Sequence, residues 1–184
     1  MRRGWSAGLA LAAIRSPRSR HRSRTSGCTW VGSTHIGLAA KASPADHPRR
    51  IFCSRRRSRR SCHNLAEVEE LFQQHGFTVV YPEDLAFVDQ VEMFRQAEVV
   101  AGFAGSAMFT SLFCPTPRHL IVLGPTSYPS RNEYMICAAV GHRLDHVWSE
   151  PDPQEAAGDL PQYAGFRFDF EREGSFLRQI LAEL

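Results

Sequence analysis

The 184 residues are enough for one domain of ordinary size, or for one domain and a tail. With 43% hydrophobic and 22% charged residues, the composition is typical of a soluble globular protein. The charge is unevenly divided, since residues 1–60 sum to +14 and residues 61–184 sum to −11. Because the larger part of the chain is acidic, the composition argues against a uniformly basic nucleic-acid-binding domain.

The cysteines bear on whether the protein has a metal site and on its cellular compartment, and the apolar runs bear on whether it crosses a membrane. No two of the five cysteines have C-x-x-C spacing and no His/Cys cluster completes a metal set, so we expect no metal site and no cofactor. Such thiols fit a reducing compartment, and we expect a cytoplasmic protein. No apolar run approaches the roughly 18 residues of a transmembrane segment. The run from Trp5 to Ile14 resembles a signal-peptide core, but the arginines that follow it do not fit a cleavage region.

The N-terminal part of the chain has no hydrophobic period. Residues 15–48 are rich in Ser, Arg, Gly, Thr and Pro and cannot bury enough apolar surface to offset the entropy of ordering them. We therefore expect a disordered basic tail over residues 1–48. Its charge would suit phosphate groups of nucleic acid or of anionic lipid, but an Arg-rich composition also fits a solvated tail without a partner. No specific nucleic-acid partner is expected.

A regular pattern begins at residue 49. Arg50–Cys53 is a short strand candidate, and a loop rich in arginine follows it. Asn64, with Glu67 three residues later, has the spacing of a capping box and predicts the start of a helix. Gly76 stands where such a helix commonly ends.

The rest of the chain continues this alternation of strands and helices. The predicted elements are a strand at 77–81, a helix opening at Asp89, a strand at 97–101, a turn at 102–105, a helix at 106–113, a strand at 119–123, a helix at 132–140, a strand at 143–147, a loop at 150–161 and a closing helix at 173–184. Strands that are apolar on both faces and alternate with helices favour a parallel sheet covered on both sides. The sequence therefore predicts an α/β, Rossmann-like domain over residues 49–184.

In such a sheet, ligands bind beyond the carboxyl ends of the strands, where two segments are suited to an anion. The first is the basic loop with Arg55 and Arg56, whose guanidinium groups can pair with a diphosphate. The second is the turn Gly102–Gly105 with Ser106 at the following helix start, where free N–H groups favour phosphate. Thr110 adds a second hydroxyl one turn later. The same glycine pattern also occurs where only packing requires it.

The sequence identifies no catalytic base. It contains no P-loop, no G-x-G-x-x-G, no H-E-x-x-H, no G-x-S-x-G and no D-x-D pair. Asp145, His146 and Glu133 are acid–base candidates by residue type alone, and a structural or surface role is the better interpretation of each.

Taken together, the ordered motifs resemble the conserved block of glycosyltransferase family 61, which includes capsular polysaccharide biosynthesis proteins. The resemblance covers about residues 49–147, and no motif would be specific alone. The matching motifs are Ile51–Arg56, Ser61–Asn64, Gly76-Phe77, Phe87–Gln90, Ala97–Gly102, Gly105-Ser106 and Ser111–Phe113.

The resemblance implies one half of a GT-B-like architecture, namely the C-terminal, donor-side domain. It also implies transfer of a sugar from a nucleotide-sugar donor to a glycan acceptor without an obligatory metal. The positions that match the family's basic pair and glycine-rich turn are Arg55, Arg56, Gly102, Gly105 and Ser106. Two positions depart from the family pattern: Ala104 stands where many members have His, and Thr110 where many have Asn.

The length of the chain leaves the expected activity open. A second domain of a GT-B enzyme needs on the order of 100 residues, and only 48 precede the matching block. Either a partner surface replaces the other half, or the chain is a fragment. The function expected from the resemblance is therefore glycosyl transfer, and the alternative is a catalytically inactive remnant that binds a nucleotide or a partner. A basic-tail nucleic-acid binder is a third hypothesis, against which the acidic remainder argues.

Overall fold

The computed structural model of the protein describes residues 47–56 and 59–184. The expected tail over residues 1–48 lies outside these residues, apart from its last two. The strands are β1 (Arg50–Cys53), β2 (Thr78–Val80), β3 (Val99–Phe103), β4 (His119–Pro125) and β5 (Arg143–Ser149).

Helices connect the strands in the predicted order. The α-helices are α1 (Leu65–Gln74), α2 (Phe87–Gln96), α3 (Arg131–Val140), α4 (Pro153–Ala156) and α5 (Gly174–Ala182). Three segments are 3₁₀ helices, Pro82–Asp84, Ser106–Phe113 and Pro161–Tyr163. Within the described part of the chain, no helix combines the length and apolarity needed to cross a bilayer.

The five strands form one parallel sheet in the order β2-β1-β3-β4-β5. The chain leaves β1 to form β2 on one side and then crosses back to form β3 on the other side. The direction of winding therefore reverses between β1 and β3. This arrangement confirms the predicted α/β fold with a parallel sheet.

Two apolar layers cover the sheet. On one face, α1 and α5 pack against the sheet, and the ring of Phe72 in α1 stacks on Phe52 of β1 with centroids 4.3 Å apart. On the other face lie α2, the 3₁₀ helix Ser106–Phe113 and α3, which contribute Phe94, Met108 and Cys137 to the core. The central strands are buried on both faces because helices lie above and below them, as their continuous apolar sequences predicted.

The predicted turn at 102–105 is wrong in its first half. Gly102 and Phe103 are the last residues of β3, and the strand is buried along its whole length. A Cβ on Gly102 would lie 2.7 Å from both the Cβ and the carbonyl oxygen of Cys53. The glycine is therefore needed for the close approach of β1 and β3, and the turn itself is confined to Ala104 and Gly105.

The predicted capping role of Asn64 is also wrong. Helix α1 begins directly after Asn64, but the side chain makes no capping hydrogen bond. Instead, its Nδ2 donates to the carbonyl oxygen of Phe168 and its Oδ1 accepts from the Phe168 N–H, both at 2.9 Å. A buried amide that both donates and accepts thus joins the start of α1 to the C-terminal segment.

Some helix boundaries and helix types differ from the prediction. Helix α2 begins at Phe87 rather than at Asp89, which lies in its first turn. The segment 106–113 has the predicted bounds but is a 3₁₀ helix. The predicted loop at 150–161 contains the short helix α4, which the carboxylate of Asp152 caps through the N–H groups of Gln154 and Glu155.

After α4, the chain returns across the loop that follows β1. The Arg60 N–H donates to the carbonyl oxygen of Tyr163 at 2.9 Å, and the His63 N–H donates to that of Phe166 at 2.8 Å. Phe166 is fully buried. This pairing brings residues 161–163 to the carboxyl end of β1.

Candidate functional site

An open cavity of about 670 Å³ lies at the carboxyl ends of β1 and β3. These are the two strands between which the winding of the sheet reverses, the place where open α/β sheets commonly bind ligands. The loop after β1, the turn after β3, the loop before α3 and the returning C-terminal segment form its walls. Its lining residues are Cys53, Ser54, Arg55, Arg59, Arg60, Phe103, Gly105, Ser106, Ala107, Phe109, Tyr128, Asn132, Gln162 and Tyr163.

Arg55 is anchored by backbone carbonyls rather than by acids. Its Nη1 donates to the carbonyl oxygen of Arg59 and its Nη2 to that of Ala104, both at 2.8 Å. Burial, and next the charge of Arg60, lower the pKa of the Arg55 guanidinium to about 10, so the group stays charged at neutral pH. Two carbonyl bonds hold the side chain in place without neutralising it.

Arg60 is the second cation of the cavity. Its guanidinium lies over the ring of Tyr128, 4.1 Å from the centroid, and its Nε is buried without a hydrogen-bond partner. Its backbone has φ +57°, a left-handed conformation that is uncommon outside glycine. Among the described residues, neither Arg60 nor Arg55 forms an ion pair with a carboxylate.

Gly105 lies directly beneath the two guanidinium groups. A Cβ at this position would lie 3.0 Å from Nη2 of Arg60 and 3.5 Å from Nη2 of Arg55. The Gly105 N–H donates to Oε1 of Glu133 at 2.7 Å. The Gly105 amide is thus already occupied, while Ser106 and Ala107 start a helix and their N–H groups have no acceptor within it.

Two tyrosine rings border the cationic part of the cavity. The Arg59 guanidinium lies 4.4 Å from the ring centroid of Tyr163, and Arg60 lies over Tyr128. Burial raises the pKa of the Tyr128 hydroxyl, which therefore remains protonated at neutral pH. Flat rings beside guanidinium groups offer stacking surfaces for a nucleobase or for a sugar face.

The structure brings together three of the six residues that the sequence singled out for anion binding. Arg55, Gly105 and Ser106 line the cavity. Arg56 instead points to the outside, where its Nε donates to Oδ2 of Asp84 at 2.8 Å. Of the other two, Gly102 is inside β3, and Thr110 is buried within the 3₁₀ helix rather than at the cavity wall.

Sequence reasoning did not identify several lining residues. Arg60 was part of the basic loop, but nothing in the local sequence distinguished it from Arg56. Tyr128, Gln162 and Tyr163 carried no local signal, because only the return of the C-terminal segment and the path of the β4–α3 loop place them beside β1.

The other acid–base candidates, Asp145 and His146, are engaged in contacts that stabilise the fold. Asp145 is buried and pairs with His119 at 2.7 Å and with Arg143 at 2.9 Å. His146 stacks on Trp148 with ring centroids 3.6 Å apart, and burial lowers the pKa of its imidazole to about 3. Neither residue lines the cavity.

The described lining residues include no Asp, Glu or His to bind a metal ion, and Cys53, which lines the cavity, is a single buried thiol whose pKa is raised by burial. Elsewhere in the described chain, His63, Asp152 and Glu155 place their ligand atoms within 4.8 Å of one another. Hydrogen bonds account for both acids of this group, because Asp152 caps α4 and Oε2 of Glu155 accepts from the Gly165 N–H at 2.6 Å.

Comparison with known proteins places the chain in a family. The profile of the family described as Glycosyltransferase 61 matches residues 10–121, more than half of the chain. The match begins upstream of the described residues and ends within β4, so it includes Arg55, Arg60, Gly105 and Ser106 but not the tyrosines of the cavity. No curated protein matches the sequence. The chain therefore belongs to glycosyltransferase family 61, a family of enzymes that transfer a glycosyl group from a donor to an acceptor.

Proposed function

We propose that the cavity binds the diphosphate of a nucleotide-sugar donor, and that the protein transfers the sugar to a glycan acceptor. The observation that carries this proposal is the pair of guanidinium groups, Arg55 and Arg60, which converge above Gly105 without a carboxylate partner among the described residues. Two cations without a carboxylate at ion-pair distance favour an anionic ligand in an open cavity, and a diphosphate presents oxygens that a guanidinium can bind in pairs. Membership of the family supports glycosyl transfer as the reaction.

Each wall of the cavity has a part in this proposal. The N–H groups of Ser106 and Ala107 add donors for a phosphate oxygen. The rings of Tyr128 and Tyr163 offer stacking surfaces for the base or the sugar. As the bond to the sugar breaks, negative charge develops on the departing diphosphate, and guanidinium groups that are already in place stabilise it without reorganisation.

A second candidate function rests on what the cavity lacks. Transfer needs a base for the acceptor hydroxyl, and no described lining residue is Asp, Glu or His. This observation supports the alternative of a binding domain without catalysis. For transfer to occur, a facing domain or a partner would have to supply the base. We propose residues 49–184 as the donor-side half of a GT-B-like arrangement, since the cavity opens at the carboxyl edge of the sheet.

The compartment is part of the same proposal. The cysteines of the described chain, Cys53, Cys62, Cys114 and Cys137, are buried and unpaired. Burial raises the pKa of each thiol, which makes them poor nucleophiles. Unpaired thiols of this kind fit a reducing, cytoplasmic setting.

Arginine variants test the proposed site. We expect Arg60→Ala and Arg55→Ala each to weaken binding of uridine diphosphate or guanosine diphosphate by roughly 10- to 100-fold, because a hydrogen bond to a charged group contributes about 1.5–3 kcal/mol. Arg56→Ala is the matched control, since its side chain pairs with Asp84 outside the cavity, and it should bind within about twofold of the unmodified protein. Isothermal titration calorimetry measures the affinities, and circular dichroism checks the fold.

The result would contradict the site if Arg56→Ala lost as much affinity as Arg60→Ala. Release of diphosphate from a sugar nucleotide, measured separately, distinguishes the two functions. Binding with release supports an active transferase, and binding without release supports the non-catalytic alternative.

A further inference from the structure

Glu133 is a buried carboxylate directly behind the cavity. It is 1% exposed and lies in the first turn of α3. Its Oε1 holds the Gly105 N–H at 2.7 Å, while its Oε2 is buried with no hydrogen-bond partner. A buried ionised oxygen without a donor is costly, so burial favours the protonated form of this group and raises its pKa.

The position of Gly105 links this carboxylate to the ligand. On one side its N–H binds Glu133, and on the other side the guanidinium groups of Arg60 and Arg55 lie 3.0 and 3.5 Å from where a Cβ would stand. Any anion that binds these guanidinium groups therefore lies on the opposite side of one residue from the Glu133 carboxylate. The two negative groups repel each other and compete for the same two positive charges.

We propose that Glu133 is a positioning residue of the donor site, and that its carboxylate takes up one proton from solvent when a diphosphate enters the cavity. This inference rests on the proposed function. The proton binds Oε2, while Oε1 keeps the bond to the Gly105 N–H. The turn beneath the diphosphate thus stays in place, and the repulsion between the two anions is removed.

Several charged and titratable groups face Glu133. Arg55 and Arg60 come from the loop after β1, Tyr128 from the loop before α3, and Tyr134 and Cys137 from α3 itself. On β5, His146 lies against the ring of Tyr134.

Within this group, burial moves the pKa of Glu133 toward the neutral range and moves those of the two tyrosines, Cys137 and His146 away from it. Burial raises the pKa values of both tyrosines and brings that of Cys137 to about 12, while it lowers that of His146 to about 3. Arg55 stays charged at neutral pH, since its pKa is about 10. Burial raises the pKa of Glu133, against the smaller opposing effects of its hydrogen bonds and of the two arginines.

Proton uptake makes the affinity depend on pH. Where free Glu133 is ionised and bound Glu133 is protonated, the affinity falls as the pH rises, by up to tenfold per pH unit. UDP-glucose and GDP-mannose are suitable probes, because their diphosphate diesters have no group that titrates between pH 5.5 and 8.5.

The test measures binding of both probes by calorimetry over this pH range, in buffers of different ionisation enthalpy, which gives the number of protons taken up. We expect a fraction of one proton, approaching one, for the unmodified protein and none for Glu133→Gln. Glu83→Gln is the matched control, since Glu83 is the other carboxylate whose charge reaches Arg55, and it should keep the uptake. Carboxyl-carbon NMR of the unmodified, labelled protein gives a second measurement that needs no variant, namely a glutamate titration that moves to higher pH on binding.

Each outcome has a distinct meaning. Binding with no proton uptake, uptake that persists in Glu133→Gln, or uptake that disappears in Glu83→Gln overturns the role of Glu133 and leaves the proposed function standing. If Glu133→Gln does not fold, the absence of a shifted glutamate signal in the NMR titration overturns it. Failure of both probes to bind at any pH overturns the proposed function and this inference together.

Discussion

Gly105 shows how one residue serves both the fold and the site. Its φ of +144° lies in a region that side chains rarely adopt. The conformation points the N–H inward to Glu133 and leaves the outer side open for the guanidinium groups of Arg55 and Arg60. Any side chain at this position would have to fill the space that the arginines use.

We expect Gly105→Ala to lower the free energy of unfolding by about 1–3 kcal/mol, the usual cost of a strained backbone conformation. It should also weaken diphosphate binding, because the new methyl group would press on Nη2 of Arg60 at 3.0 Å. Gly76→Ala is the control, since Gly76 has φ +79° but open space around its Cβ position. Guanidinium denaturation and calorimetry measure the two effects. Equal loss of binding in both variants would contradict the assignment.

At the scale of elements, the C-terminal segment contributes as much to the cavity as the sheet does. The side chain of Asn64 makes two hydrogen bonds to the backbone of Phe168. The backbone pairing of residues 60–63 with residues 163–166 holds Tyr163 at the cavity wall. These hydrogen bonds connect the start of α1, which lies within the family-matched residues, to a segment about 100 residues later in the chain and beyond the match.

The role of Asn64 can be distinguished from the role that its sequence position suggests. A helix cap tolerates Asn→Ser, because serine is also a good capping residue. The two hydrogen bonds to Phe168 do not tolerate this substitution, because serine is too short to replace both of them. We expect both Asn64→Ser and Asn64→Ala to lower the free energy of unfolding by about 2–4 kcal/mol, since two buried backbone groups lose their partners. Chemical denaturation measures this, and a stable Asn64→Ser variant would favour the cap.

At the scale of the molecule, the direction in which the chain winds along the sheet reverses between β1 and β3, and this reversal determines where the cavity lies. Two strands that diverge in their connections leave a crevice at their carboxyl ends, and the chain lines it with the loop after β1 and the turn after β3. All buried residues of both core clusters lie between residues 51 and 181.

We therefore expect residues 49–184, produced alone, to unfold cooperatively. Their midpoint of thermal unfolding should lie within about 2 °C of that of the full chain, since the described core lies wholly inside them and 1 kcal/mol corresponds to roughly 2–4 °C in a protein of about this size. UDP-glucose affinity should be unchanged. A large loss of stability or of binding would show that residues 1–48 belong to the domain.

Much of this protein could be predicted from local sequence. The alternation of apolar strands and helices determined the parallel α/β fold, because strands buried on both faces need continuous apolar runs. The glycine at 105 and the arginine at 55 identified two of the groups at the cavity, since anion sites use such residues after strands. The ordered motifs identified the family.

Only the tertiary structure decided which arginines face the cavity and what else lines it. Arg56 and Arg60 are alike as sequence, but the carboxylate of Asp84 holds one outside, while pairing with Tyr163 turns the other inward. Glu133 meets Gly105 across 28 positions of the chain. Local patterns cannot encode such contacts, because they depend on the order of strands in the sheet and on the path of the returning C-terminal segment.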